Sequence, residues 1–172
     1  MNLLDALLQS RIRLIDYECV RNPHNNERLI AFGDFAGKAG MIDALRGLGS
    51  RLLGLGISNP FLNVSPAYSY PTLTDALQAI RKVGNVYKAN GGSTSFLPAG
   101  SRPLIVAFTG AGKVTRGALS VFEALDPIIL PSIEALETAT DPNAIYGIVV
   151  RDSDARFGRS LSVRLSFRHA TN

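Results

Sequence analysis

Cysteine is almost absent from this sequence. One residue, Cys19, stands among 172, so no disulfide can form within the chain and a reducing compartment is expected. A lone cysteine of this kind is expected to be a small buried residue. Long hydrophobic runs are missing too, and the longest apolar stretches fall far short of the ~20 residues that a membrane span needs. The opening "MNLLDALLQS" has no basic leader region and carries Asp5 inside its apolar stretch. It reads as an amphipathic helix, not a signal peptide. Strong charge of one sign is lacking over most of the chain. The net charge is +4, and residues 151–172 supply most of it, with Arg151, Arg156, Arg159, Arg164 and Arg168 set against Asp152 and Asp154. These arginines are spread out with no aromatic stacking platform beside them, which argues against a nucleic-acid partner.

What remains is a globular composition, 46% hydrophobic and 19% charged, long enough for one domain or two partial ones. Leu3, Leu4, Leu7 and Leu8 have helical spacing. "IRLIDYE" and "RLIAFG" read as strands on either side of a polar turn, "RNPHNNE", so residues 12–33 suggest a hairpin or two adjacent strands. In "FAGKAGMIDALRGLGSRLLGLG", Met41, Leu45, Leu48, Leu52 and Leu55 form an apolar helical stripe. Gly33, Gly40, Gly47 and Gly54 recur every seven residues. Each helix-interior glycine costs about 1 kcal/mol against alanine, so this repeat points to close approach of another backbone, within the chain or from a second copy.

"YPTLTDALQAIRKVG" reads as a helix capped by Thr72, with Asp75 three residues on. "NGGSTSFLPAGSRP" is a connector. Beyond it "PLIVAFTG" is a buried strand, "KVTRGALSVFEAL" a helix, "PIIL" a short strand, "PSIEALETA" a short helix capped by Ser132, and "IYGIVV" a third strand. This β-α-β-α-β order predicts a parallel α/β unit. In the tail, Leu161, Val163, Leu165 and Phe167 alternate with polar residues at strand spacing.

The stretch "FTGAGKVTRGA" joins strand to helix. A P-loop would need glycine at Ala107 and a hydroxyl at Val114, so the magnesium-binding group is missing and a nucleoside triphosphatase is excluded. The dinucleotide pattern G-x-G-x-x-G fits better. Gly110 permits the tight turn and Gly112 lets the backbone approach a pyrophosphate. The helix start offers N–H groups and a positive dipole end. Thr115 takes the third glycine position, with Gly117 and Ala118 keeping the helix face small against the strand. The candidate cradle is Gly110, Ala111, Gly112, Lys113, Val114 and Thr115. Where the second strand ends, near Leu130, Pro131 and Ser132, there is no carboxylate to hold a ribose 2′-hydroxyl. That tilts away from strict NAD use and toward NADP or an impaired site, and NADP would call for a nearby cation, which spacing alone does not identify.

Four stretches, "NLLDALLQSRIRLIDYE", "RLIAFGDFAGKAGMIDALRGLG", "LGISNPFLNV" and "PLIVAFTGAGKVTRGALSVFEAL", together resemble the lysine–2-oxoglutarate reductase part of the bifunctional aminoadipic semialdehyde synthases. Single-function relatives are the lysine-forming fungal saccharopine dehydrogenases; alanine dehydrogenase and transhydrogenase are more distant. The resemblance implies an α/β fold made of the end of a substrate domain (1–33), connecting helices (34–89), a linker (90–102), an incomplete Rossmann-like dinucleotide domain (103–150) and a divergent basic tail (151–172). It implies reductive condensation of lysine with 2-oxoglutarate to saccharopine, with NADP or NAD as coenzyme. Glu18, Arg28 and Phe32 match substrate-side positions: a cleft glutamate, an arginine that meets a substrate carboxylate, and a cleft-wall aromatic.

The sequence also departs from the family's pattern. The family's lysine–histidine acid–base pair lies upstream of "NLLD", where this chain begins, and neither His24 nor His169 stands in its place. The acid usual before the proline after the second strand is Leu130 here. The isolated chain is therefore expected to be inactive, and its unpaired apolar faces to drive association with a second copy or a full-length partner; the alternative is a non-catalytic dinucleotide-binding or partner-binding module derived from that family. The compartment implied is the cytoplasm, with the mitochondrial matrix as the alternative.

Overall fold

A computed structural model describes residues 2–97 and 103–151. The strand expected around Leu161–Phe167 lies outside the described residues. Two compact units meet between Gly33 and Asp34.

In the first unit, helix α1 spans Leu3–Gln9 and buries none of its residues. The two strands expected in residues 12–33 do not form. Tyr17–Cys19 is instead a 3-10 turn, whose N-cap Asp16 accepts a hydrogen bond from the Glu18 N–H at 2.9 Å. The polar turn does fold the chain back. The Asn22 N–H donates to the Glu27 carbonyl (2.8 Å) and the Leu29 N–H to the Val20 carbonyl (2.9 Å). The pairing stops at a single antiparallel bridge, Arg21 with Arg28. Two short strands by themselves are marginal in water, and side chains here compete for the backbone. Asn22 accepts from the His24 N–H and Asn25 from the Glu27 N–H, at 2.9 and 3.1 Å. Cys19 is exposed, not buried, and its thiol points toward the Asp16 carboxylate at 3.6 Å.

The second unit holds the core. Helix α2 spans Gly33–Gly54 and buries Gly37, Met41, Ile42, Leu45, Gly49 and Leu52. Leu48 is half-buried and Leu55 exposed. The glycine repeat behaves differently from its expectation: Gly40, Gly47 and Gly54 are exposed, and a Cβ on any of them would meet nothing within 4 Å. Close approach occurs at Gly37 and Gly49. A Cβ on Gly37 would overlap the Val114 carbonyl oxygen and lie 2.8 Å from the Ala118 nitrogen; one on Gly49 would lie 2.6 Å from the Phe61 carbonyl carbon.

Helix α3, Leu73–Ala89, starts as expected at Thr72. The Thr72 hydroxyl accepts from the Asp75 N–H (3.2 Å) and donates to the Asp75 carboxylate (2.7 Å). Ile80 and Tyr87 on its inner face are fully buried. Tyr87 packs between Phe61 and Phe96, with ring centroids 6.0 and 5.8 Å away. Its hydroxyl donates to the Pro142 carbonyl at 3.2 Å, and burial raises its pKa above the ordinary 10.0. The same carbonyl accepts from the Ser93 N–H at 2.9 Å. This anchors the start of the connector, a 3-10 turn at Gly92–Ser95.

Three parallel strands follow: β1 (Leu104–Thr109), β2 (Ile128–Leu130) and β3 (Ile145–Val150), in the order β1-β3-β2. β3 pairs with β1 from Leu104–Ile145 to Thr109–Val150. Helix α4 (Lys113–Phe122) and a 3-10 turn (Glu123–Leu125) connect β1 to β2. Phe122 stacks edge-on against Phe108 of β1 at 5.2 Å. It also presses on Gly147 of β3, where a Cβ would lie 2.6 Å from its ring. On a second face, Tyr146 and Ile148 pack with Leu130, Ala139 and Ala144. The helix expected after β2 is a 3-10 segment, Glu134–Thr138, without a Ser132 side-chain cap. The Ser132 carbonyl instead accepts the Ala135 N–H.

Candidate functional site

The glycine stretch lies where β1 runs out. Gly110 adopts φ +80°, in the region only glycine enters without strain. Its N–H donates to the Val150 carbonyl at 2.8 Å, so β1 and β3 end together at this turn. Gly112 is the N-cap of α4 and supplies no side-chain cap. Among the described residues, a Cβ on Gly110 or on Gly112 would meet nothing within 4 Å, so no described residue fills the space above the two glycines.

Thr115, at the third glycine position, is buried. Its hydroxyl donates to the Gly110 carbonyl at 2.9 Å and ties the turn to the helix. Gly117 does keep a helix face small, but not for the strand: a Cβ there would overlap the Asp34 carbonyl oxygen at the start of α2. With Gly37 against Val114, this brings the first turns of α2 and α4 into backbone contact. Lys113 and Val114 are exposed at the first positions of α4. A cation at a helix N-terminus is disfavoured by the dipole, and an anionic ligand there would reverse that penalty. An uncapped helix start, a left-handed glycine and open space over the turn suit a pyrophosphate. The residues present therefore fit a dinucleotide.

The first unit carries the other candidates. Glu18 and Arg28 form an ion pair with about half of each side chain exposed, and Phe32 is 61% exposed. The described structure thus brings Glu18 and Arg28 together. His24 lies in the exposed turn.

Strand order departs from chain order: β3 lies between β1 and β2, so Leu130–Ser132, at the end of β2, stands one strand further from the glycine turn than β3 does. The residue after β3 is Arg151, which is exposed. Among the described residues, no cluster of His, Cys, Asp or Glu could hold a metal ion, and no helix is long and apolar enough to cross a membrane.

Fold and turn together define an α/β protein with a glycine turn at the carboxyl ends of parallel strands. No family model matches the chain. It is similar to the alpha-aminoadipic semialdehyde synthase of Arabidopsis thaliana, 38% identical over 167 residues, which is 90% of this chain and 15% of that protein. It is also similar to the mitochondrial alpha-aminoadipic semialdehyde synthases of Mus musculus and Rattus norvegicus, 41% and 40% identical over 152 residues, 87% of this chain and 16% of each relative. The chain thus resembles a segment of the alpha-aminoadipic semialdehyde synthases, and it spans 15–16% of the length of these relatives.

Proposed function

We propose that this chain contributes the end of the substrate domain and the start of a Rossmann-like dinucleotide domain to a lysine–2-oxoglutarate reductase. The 38–41% identity to the synthases across most of the chain carries this reading, and the open glycine turn at Gly110–Thr115 supports it. Gly110, Gly112 and the first turn of α4 would hold the pyrophosphate of NADP(H) or NAD(H), with Ala111, Lys113 and Val114 lining the turn and Thr115 bracing it. Bound there, the coenzyme would supply hydride for reduction of the imine that the lysine ε-amine forms with the 2-oxoglutarate carbonyl. Arg28 would bind a substrate carboxylate through its planar fork, Glu18 would orient that fork, and Phe32 would line the cleft.

Proton transfer contributes about 10²–10⁴ in rate, and no residue here takes the place of the family's lysine–histidine pair. The 172-residue chain alone is therefore proposed to be inactive. The names of the mammalian relatives place those proteins in mitochondria, which favours the mitochondrial matrix over the cytoplasm for this chain.

The test is a graft. This chain replaces the matching segment of the mouse relative, and NADPH oxidation is followed with lysine and 2-oxoglutarate present. We expect the graft to turn over and Arg28→Ala to raise the 2-oxoglutarate KM at least tenfold. A folded graft with no turnover would reject the assignment. Turnover by the 172-residue chain alone would reject its inactivity.

A further inference from the structure

We infer that the exposed face of α2 is a homodimer interface, in which two copies of this chain lay their α2 helices antiparallel about a two-fold axis at Gly47. This goes beyond the dinucleotide reading and does not depend on it. α2 is 22 residues long and turns Gly37, Met41, Ile42, Leu45, Gly49 and Leu52 toward its own core. The other face carries Gly40, Asp43, Ala44, Gly47, Ser50, Arg51 and Gly54, every one exposed. At about 100° per residue, all seven lie within about 60° of Gly47 around the helix. A Cβ on Gly40, Gly47 or Gly54 would meet no described residue within 4 Å. Glycine inside an exposed helix is a standing cost against alanine, and among the described residues nothing uses the space that Gly40 and Gly47 leave.

The charges on this face choose the occupant. Asp43 stands one helical step of four before Gly47, and Arg51 the same step after it. A two-fold axis at Gly47 sets each residue before it against the residue equally far after it in the second copy. Asp43 then faces Arg51 twice over, Gly40 faces Gly54, and Ala44 faces Ser50. A parallel pairing would instead set Asp43 on Asp43 and Arg51 on Arg51. Asp43 is held in place, because its Oδ1 accepts the Ala67 N–H at 2.8 Å. Among the described residues neither Asp43 nor Arg51 forms an ion pair, so both charges are available across the axis. From Gly40 to Gly54 the seam runs about 21 Å, and a seven-residue repeat keeps such a seam facing a second helix. A lipid surface fits poorly, because this face has no large apolar side chain to insert.

The test is sedimentation equilibrium of the 172-residue chain from about 1 to about 300 μM, the range in which a small interface dissociates. Wild type is expected to approach twice the monomer mass. Arg51→Asp and Asp43→Arg should each weaken association at least about tenfold, because like charges then face each other twice. An equimolar mixture of the two variants should recover to within about threefold of wild type, since every Asp meets an Arg again. Gly47→Leu fills the axis and should give a monomer whose circular dichroism matches wild type. Gly40→Ala, which gains helix propensity in the dilute monomer, should weaken the dimer. Arg51→Asp and Gly47→Leu keep the test decisive should Asp43→Arg, which loses the Ala67 bond, fail to fold. A wild type that stays monomeric throughout would overturn the interface. So would association that neither Arg51→Asp nor Gly47→Leu weakens, because another face would then carry it. Loss in both charge reversals with no recovery in their mixture would overturn the antiparallel pairing.

Discussion

Residues 2–33 and residues 34–151 are both rich in apolar side chains, yet they use them differently. In the first region Leu3, Leu4, Leu8, Ile12, Leu14, Ile15 and Phe32 are all more than half exposed, and no described residue is buried. Its side-chain hydrogen bonds link residues at most ten positions apart. In the second region Phe61, Ile80, Tyr87, Phe122 and Ile145 are fully buried, and the contacts are long-range: α3 against the turn after α4, β3 between β1 and β2. An apolar pattern marks a face that can be buried, but burial needs a second face at the right distance. Parallel strands and the helices that join them supply one; a helix, a turn and a single bridge do not.

Core truncation should separate the regions most strongly. Phe122 is fully buried against Phe108 and Gly147, so Phe122→Ala should cost about 3–5 kcal/mol. Phe32→Ala should change stability by less than about 0.5 kcal/mol. Urea unfolding of both variants would show it, and equal effects would mean that residues 2–33 share the core after all.

A sharper comparison lies within α2. Gly37→Ala forces a methyl into the Val114 backbone and should cost about 3 kcal/mol. Gly40→Ala meets open space and should stabilise by about 0.5–1 kcal/mol through helix propensity. If Gly40→Ala destabilises instead, the exposed glycine face is covered in solution, and sedimentation of the chain would show by what.

The long elements were legible in the sequence because their periodicity is strong and their ends are marked. Thr72 and Asp75 announce α3, and the runs "LIVAFT" and "IYGIVV" announce strands. The expected strands at 12–33 failed because alternation says nothing about a partner, and Asp16, Asn22 and Asn25 bond their own backbone instead. The seven-residue glycine repeat was real but stood on the wrong face. Gly37 and Gly49 fall in phase with Met41, Leu45 and Leu52, at steps of four and three, so comparing glycines with the leucine stripe would have found the packed pair. The glycine turn was legible as a turn. The place of β3 beside β1 was not, because strand order is a property of the sheet and linear spacing does not contain it.

The smallest expected effect contrasts two exposed ion pairs, one in each region. Lys88 holds Asp126, at the end of the turn after α4, through the carboxylate (2.5 Å) and the backbone carbonyl (2.7 Å). Asp126 has φ +53°, so asparagine, which tolerates that conformation, is the apt replacement. The hydrogen bond and charge of Lys88 lower the Asp126 pKa below its ordinary 3.8. A lowered folded-state pKa means that the unfolded chain takes up the proton first as pH falls. The stabilisation is therefore complete above pH 3.8 and is lost as pH drops through the lower folded value. Asp126→Asn should flatten the acid limb of a stability–pH curve there and leave the neutral limb parallel to wild type. The Glu18–Arg28 pair closes only the turn of the first region. Glu18→Gln should shift the unfolding midpoint by the equivalent of less than about 1 kcal/mol, while amide exchange at Asn22 and Leu29 quickens. If Glu18→Gln lowered the midpoint as much as a core truncation does, the two regions would unfold as one, and the pair would be a structural clamp, not a local closure.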